Sequence, residues 1–416
     1  MLGTRLQKWC LLFGCTFSLL TFQNCAQSFE SAKNASQVAS SGSDSETPEV
    51  QPPTTPPTIP PTSPPVIPPV TPSPTTPPPA NGMVNAFMAT GHVGRTVFSC
   101  DDGRTWIHDR SDNNNTRCWL DGDPNYVECD HTVNAGRGVD AGDGWFFANF
   151  GWGSNGSVRR SRDGVNWQTM ISDGWGGGVS LLDGYVYVSW REGIVSPDLG
   201  VTWQNHPNSP KQNFSHPWIK RSGDIIAMIG RPTGTNKISF SLNGGRNWSL
   251  PAVLQNEQWI KTFVEGTGRL VVVGYLDTTP VVSYSAISDN NGVSWTIRQQ
   301  SGISAQWEDI FYDGTKFVTF ASGRRYVSTN GLDWTSVPFT VAGMNAASLR
   351  GPISFDPSTG TYVIILGVWG NFYDKQKAFR STDGGLTWQT LSTTAFKGGH
   401  PIRDITLGEM EAVYCR

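Results

Sequence analysis

The chain has 416 residues, a formal net charge of -3, only 16% charged residues, and no basic stripe that could neutralise a phosphate backbone, which excludes a nucleic-acid partner. The length admits two or three domains or one repeat architecture, and 46 glycines with 11% aromatic residues suit a β-rich globular protein.

At the N-terminus, Arg5 and Lys8 precede the apolar run WCLLFGCTFSLLTF. The run is short for a bilayer span and has the make-up of an export signal, so residues 1–24 are predicted to be a signal peptide. It ends in FQNCAQ, which places Cys25 where a bacterial lipoprotein carries its lipid, although Phe22, Gln23 and Asn24 replace the usual Leu and small residues. Lipidation at Cys25 followed by Ala26 favours the outer membrane by analogy with lipoprotein sorting; plain cleavage would give a secreted protein. Residues 25–80 are then a tether, Ser-, Ala- and Gln-rich before a Pro/Thr tract. Such a tract prefers extended polyproline geometry at about 3.1 Å per residue, enough to hold a domain roughly 100 Å from its anchor. The lipid is the only membrane contact this reading contains.

Cys10 and Cys15 lie in the signal, leaving Cys100, Cys118, Cys129 and Cys415 in the mature domain. Four cysteines allow three pairings. Nearness in the chain favours Cys118 with Cys129, leaving Cys100 and Cys415 at opposite ends. No CxxC spacing supports zinc, and Asp121 and Asp123 lack EF-hand spacing, so neither a metal nor a cofactor is expected.

From residue 81 onward one phrase recurs: SCDDGRTW (99–106), SRDGVNW (161–167), SPDLGVTW (196–203), SLNGGRNW (241–248), SDNNGVSW (288–295), STNGLDW (328–334) and STDGGLTW (381–388). Asp101, Asp163, Asp198, Asn243, Asn290, Asn330 and Asp383 can each accept from backbone N–H groups a residue or two ahead, and the following Gly supplies positive φ at little steric cost. The flanks alternate apolar and polar residues as strands do. Each phrase therefore reads as a hairpin turn whose Trp begins the returning strand: Trp106, Trp167, Trp203, Trp248, Trp295, Trp334 and Trp388.

These seven phrases resemble the Asp-box, the bacterial neuraminidase repeat of sialidase-like β-propellers, and they cover essentially all of residues 81–416. The tryptophans lie 61, 36, 45, 47, 39 and 54 residues apart, intervals that bracket a four-stranded blade. The predicted fold is all-β: a seven-bladed propeller of four-stranded antiparallel blades, with the N- and C-terminal strands sharing one blade. IRDITLG resembles an innermost strand, while NAFMATG and EAVYC both resemble the second. Either partition allows Cys100 to bridge Cys415 and staple the ring.

The resemblance implies that all boxes share one rim and that ligands meet the opposite face. Trp175, Trp218, Trp259 and Trp307 fall where inner strands begin, and Trp152, Trp190 and Trp369 fall just after second strands. All seven are expected on that face, as a stacking platform or as filling between blades. His216, Arg350, His400 and Arg403 are the polar candidates near the channel mouth, and Glu308 and Asp309 are the catalytic candidates.

A sialidase-like hydrolase would need the family's three arginines, a Tyr–Glu nucleophile pair and an Asp. The Arg-Ile-Pro motif ahead of the first box is missing, and MVNAFMATGHVGRTVFSC offers only Arg95. A xyloglucanase-like hydrolase would place its carboxylates between two tandem propellers, whereas the repeats here account for one. The reading that requires fewest additions is a monomeric, noncatalytic recognition domain for a glycan or cell-surface protein, displayed on an anchored stalk, with a glycoside hydrolase as the alternative.

Overall fold

Seven turns of one design set the architecture. In residues 381–388, Asp383 Oδ1 accepts from the backbone N–H groups of Leu386 (3.0 Å) and Thr387 (2.9 Å), and Oδ2 accepts from the Thr387 hydroxyl (2.6 Å). The Ser381 hydroxyl donates to Asp383 Oδ1 at 2.8 Å and accepts the Gly385 N–H at 2.9 Å. Gly385 has φ +86°, and a Cβ there would lie 2.5 Å from the Phe320 ring of the preceding sheet, so both conformation and space demand glycine. Trp388 closes the turn by donating Nε1–H to the Gly385 carbonyl at 3.2 Å. The serine bonds recur in the turns opened by Ser99, Ser161, Ser196, Ser241, Ser288 and Ser328. The Asx oxygens accept from amides two to four residues ahead, farther than the sequence suggested, because the serine hydroxyl takes the nearer glycine amide.

The computed structural model describes residues 82–91, 94–110, 136–150, 157–172, 178–189, 193–206, 215–231, 237–249, 254, 259–276, 278–349, 351–366, 377–391 and 402–416, all within the unit Thr75–Arg416. The predicted signal, Cys25, the tether, Cys118 and Cys129 lie outside these residues. Among the described residues the strands form seven small sheets arranged as a seven-bladed propeller. The innermost strands are Ile402–Glu411 in blade 1, Gly136–Gly142 in blade 2, Val179–Leu182 in blade 3 and Ser215–Ser222 in blade 4. Trp259–Gly266, Ile310–Tyr312 and Ile353–Asp356 serve blades 5, 6 and 7. Five sheets have four strands. Blade 4 has three, plus a bridge between Phe240 and Ser249, and blade 7 gains a short parallel strand, Thr340–Val341, along its outer edge.

Blade 1 closes the ring. Its innermost strand comes from the C-terminus and pairs antiparallel with Met83–Gly91, in a register that sets Thr406 opposite Met88. NAFMATG is thus the second strand, and EAVYC is instead a 3-10 turn, Ala412–Cys415, that brings Cys415 to Cys100 for the disulfide. This resolves the strand partition that the sequence left open. The antiparallel order also puts the turns joining first to second and third to fourth strands at one end of each blade, here called the turn end. The second-to-third loops and the crossings between blades lie at the other, open end.

The core follows from strand alternation, since each sheet presents apolar residues to a neighbour on both sides. One buried cluster fills each gap around the ring. Met88 and Phe98 meet Ala141 and Phe146 between blades 1 and 2, and Phe147 meets Leu181 and Val186 between blades 2 and 3. Tyr187 meets Ile226 and Met228, Phe240 meets Phe263, and Val271 meets Trp307 and Tyr326 in the next three gaps. Phe320 meets Tyr362 and Phe379 between blades 6 and 7, and Val363 and Ile365 meet Phe87 and Val97 where blade 7 returns to blade 1. Seven gaps filled by seven clusters are what a closed ring requires, because an open sheet stack would leave two apolar faces bare. Each turn tryptophan packs into the gap behind its own blade, Trp388 against Phe320 with ring centroids 5.5 Å apart.

Candidate functional site

The innermost strands line the ring axis, and charged residues stand on them where a buried strand would carry apolar ones. Asp140 lies opposite Phe147 in blade 2 and Lys220 opposite Ala227 in blade 4, the same level in both blades counted from the turn serine. Asp404, opposite Thr90, and Thr262, opposite Val273, sit two residues nearer the open end.

Two ion pairs cross the axis, each skipping a blade. Arg221 of blade 4 donates Nε and Nη2 to the two oxygens of Asp140 of blade 2, at 2.8 and 3.0 Å. Asp140 Oδ2 also accepts the Leu181 N–H of the intervening blade 3 at 2.9 Å. Lys220 Nζ donates to Asp309 Oδ2 of blade 6 at 2.8 Å, and Thr262 of blade 5 donates its hydroxyl to Asp309 Oδ1 at 2.9 Å. Asp404 of blade 1 accepts the Val139 N–H of blade 2 at 3.1 Å and its own Ile405 N–H at 2.9 Å. Consecutive cations of one strand therefore reach opposite ways and tie blades 2, 4 and 6 across the bore. The fork of Arg221 fits its carboxylate bidentately, which fixes the geometry of that pair.

The electrostatics are lopsided, with Lys220 and Arg221 facing Asp140, Asp309 and Asp404. Burial opposes the Lys220 charge, but the carboxylates of Asp309, Asp404 and Asp140 outweigh it and raise the ammonium above the ordinary lysine range. Burial also raises the Asp404 carboxyl, against the pull of Lys220. The carboxylate in excess is thus the one pushed towards its neutral form. Nearer the open end, Glu308 of blade 6 pairs with Lys261 of blade 5 at 3.6 Å, both sides partly exposed.

Of the sequence candidates, Glu308 and Asp309 are brought to the axis with Lys261 and Lys220. Arg403 lies half-buried beside Asp404, and His216, Trp218 and Trp259 lie on the inner strands of blades 4 and 5. Trp218 stands opposite Ile229 in mid-strand, and Trp259 stands opposite Tyr275 at the open end of its strand. Trp307 does not belong to a surface platform. It is fully buried between blades 5 and 6, with its ring 4.9 Å from Trp334 and 5.8 Å from Tyr326, because the crossing segment turns it inward to roof the turn tryptophan. Trp152, Trp175, Trp190, Trp369, Arg350 and His400 lie outside the described residues. Arg95 is also no ligand arginine, since it is buried and gives Nε and Nη2 to Asp109 at 2.7 and 2.8 Å.

Sequence reasoning missed Asp140, Arg221 and Asp404. Their signal was present as charge inside inner-strand segments, GVDAG, IKRSG and IRDITLG, where a strand buried on both faces reads as continuously apolar. It also missed the seven turn serines, although each opens its phrase two residues before the Asx.

No protein-family model matches the chain. Over 145 residues, 33% of this chain, it is 30% identical to a xyloglucanase of Acetivibrio thermocellus, and the match spans 16% of that enzyme. The chain thus spans about a sixth of the length of the curated relatives it matches. Among solved structures, a protein from Lactobacillus plantarum aligns over 78% of this chain and 99% of its own, at 11% identity and a TM-score of 0.50, a likeness of fold. A xyloglucanase from Xanthomonas campestris aligns over 74% of this chain and 54% of its own, at 14% identity and a TM-score of 0.49.

Proposed function

We propose that this chain is a noncatalytic recognition propeller that binds a glycan or a protein loop at the open end, where its channel mouth is floored by the cross-axis ion pairs. The observation that carries the reading is the engagement of the two catalytic candidates. Asp309 has Lys220 on one oxygen and Thr262 with the Ile310 N–H on the other, and Glu308 faces Lys261. A glycoside hydrolase needs one carboxyl free to protonate the leaving oxygen and another free to attack or to activate water. Carboxylates held by cations serve better as fixed acceptors for hydroxyl or amide donors. The segment similar to a xyloglucanase favours a β-glucan among glycans. We place the seven turns in the Asp-box family, and we propose an export signal, a lipid at Cys25 and the Pro/Thr tether as the display device at the cell envelope, the propeller acting as a monomer.

The alternative, a glycoside hydrolase, draws on the same similarity and on Asp404, a carboxyl raised by burial near Asp309. One experiment separates the two: binding of the protein to a glycan array that includes xyloglucan oligosaccharides, alongside reducing-end release from the same sugars. Retention without turnover is expected. Turnover abolished by Asp309→Asn or Asp404→Asn would overturn the binding reading in favour of catalysis.

A further inference from the structure

A second site lies at the turn end, between blades 2 and 3, away from the channel mouth. The register there pairs Phe146 with Ser161 and Phe147 with Arg160. Alternation then puts Trp145, Phe147, Arg160 and Arg162 on one face of blade 2, the face turned toward blade 3. The guanidinium carbons of Arg160 and Arg162 both lie 4.4 Å from the Trp145 ring. Two like charges share one indole, an arrangement that costs repulsion unless an anion relieves it.

The two arginines differ in what they have left to give. Arg160 spends Nε and Nη2 on the neutral Gln168 Oε1, both at 3.1 Å, and Nη1 on the Leu199 carbonyl of blade 3. Arg162 is exposed and makes no hydrogen bond or ion pair among the described residues, so the donors of its fork remain available. The carboxylates of the two box turns here, Asp163 and Asp198, are engaged within their own turns. Asp163 accepts from Ser161, Val165 and Asn166, and Asp198 accepts from Ser196 and both donors of Thr202. Elsewhere in the ring Arg95, Arg221, Arg269, Arg298 and Arg380 each face a carboxylate. Burial and the nearness of Arg162 lower the Arg160 pKa, and the Asp198 carboxylate offsets them only in part.

We propose that the Trp145–Arg160–Arg162 face is a binding subsite for an oxyanion carried on a saccharide, a uronate carboxylate or a sulfate ester. Arg162 is the residue that grips it. Stacking on Trp145 holds the guanidinium plane fixed, so its in-plane N–H pair meets two oxygens without ordering a loose side chain. Arg160, already locked by Gln168 and Leu199, adds charge and positions the indole. This site is independent of the channel mouth, and a neutral glucan would engage only the latter.

The test titrates the full chain with three probes: a galacturonate oligomer, its methyl ester, and a sulfated dextran of similar length. Arg162→Gln and Arg298→Gln are compared with the parent protein, because Arg298 is an equally removable surface charge paired with Asp333 on another blade. Binding of an acidic probe is expected to fall at least tenfold in Arg162→Gln and to change less than twofold in Arg298→Gln, with the methyl ester bound weakly by all three. Preference for galacturonate identifies a carboxylate source, and preference for sulfated dextran a sulfate source. Equal losses in the two variants would reduce the effect to net charge and overturn the proposal, as would absence of binding to both acidic probes.

Discussion

Removal of the Lys220 ammonium tests the cross-axis bracing directly. Lys220→Met keeps the length of the side chain but leaves Asp309 with only Thr262 and the Ile310 amide. Breaking one partner from a buried pair costs about 3–5 kcal/mol. The two side chains here are 32% and 18% exposed, so water screens part of that penalty, and about 2 kcal/mol is expected, roughly a 30-fold loss in the folded-to-unfolded ratio. The sign with pH is fixed by the raised Lys220 pKa. The folded state holds the proton more tightly than the unfolded chain, so the stabilisation is complete below the ordinary lysine pKa of about 10.4 and fades as pH rises through the raised value. Guanidinium unfolding at pH 7 of the parent, Lys220→Met, Asp309→Asn and the double variant gives the coupling energy, expected at about 1–2 kcal/mol. The same cycle on Arg298 and Asp333, whose side chains are 47% and 67% exposed, is expected near zero. A Lys220–Asp309 coupling as small as that surface pair's would refute the brace.

Two further outcomes follow from the ring. Gly385→Ala meets Phe320 at 2.5 Å at a φ of +86°, whereas Gly360→Ala has φ +70° and open space, so denaturant midpoints should separate them. Strain alone costs about 1–2 kcal/mol in the second, and the clash adds about 1–3 kcal/mol in the first. Reduction of the Cys100–Cys415 bridge removes a link across 315 residues, and chain-entropy reasoning sets an upper limit of about 5–6 kcal/mol for its stabilisation. Peptide mapping without reductant should recover the pair, and a midpoint unmoved by dithiothreitol would show that the strand pairing of Ile402–Glu411 with Met83–Gly91 closes the ring without help.

The fold was legible because its determinants are local and repeated. A Ser, an Asx, a positive-φ Gly and a Trp at one of two spacings, differing by one residue, specify one turn through bonds that span four residues or fewer, and seven copies make the period visible. The closing blade was only half legible. NAFMATG and EAVYC have the same strand chemistry, and what separates them is a partner about three hundred residues away, the register of Met88 on Thr406. The disulfide candidate could be inferred by elimination, whereas the partition could not.

The site was less legible for the same reason turned around. Trp307 reads like Trp218 and Trp259 in sequence, since all three open an inner strand, yet its side chain is turned into the gap by Trp334 and Tyr326, residues contributed by its own blade's later strands. The cross-axis pairs are more distant still: Arg221 and Asp140 are 81 residues apart, Lys220 and Asp309 are 89. No local rule pairs them. What the sequence does show is a charge where a buried strand should have none, and the cost of burying that charge demands a partner somewhere. Here Arg221 and Lys220 find their partners two blades away, whereas Asp404 is held by the amides of Val139 and Ile405. Charged interruptions of inner strands therefore mark where a propeller's channel is bridged by its own side chains, and the open-end surface above that level is where a ligand can still enter.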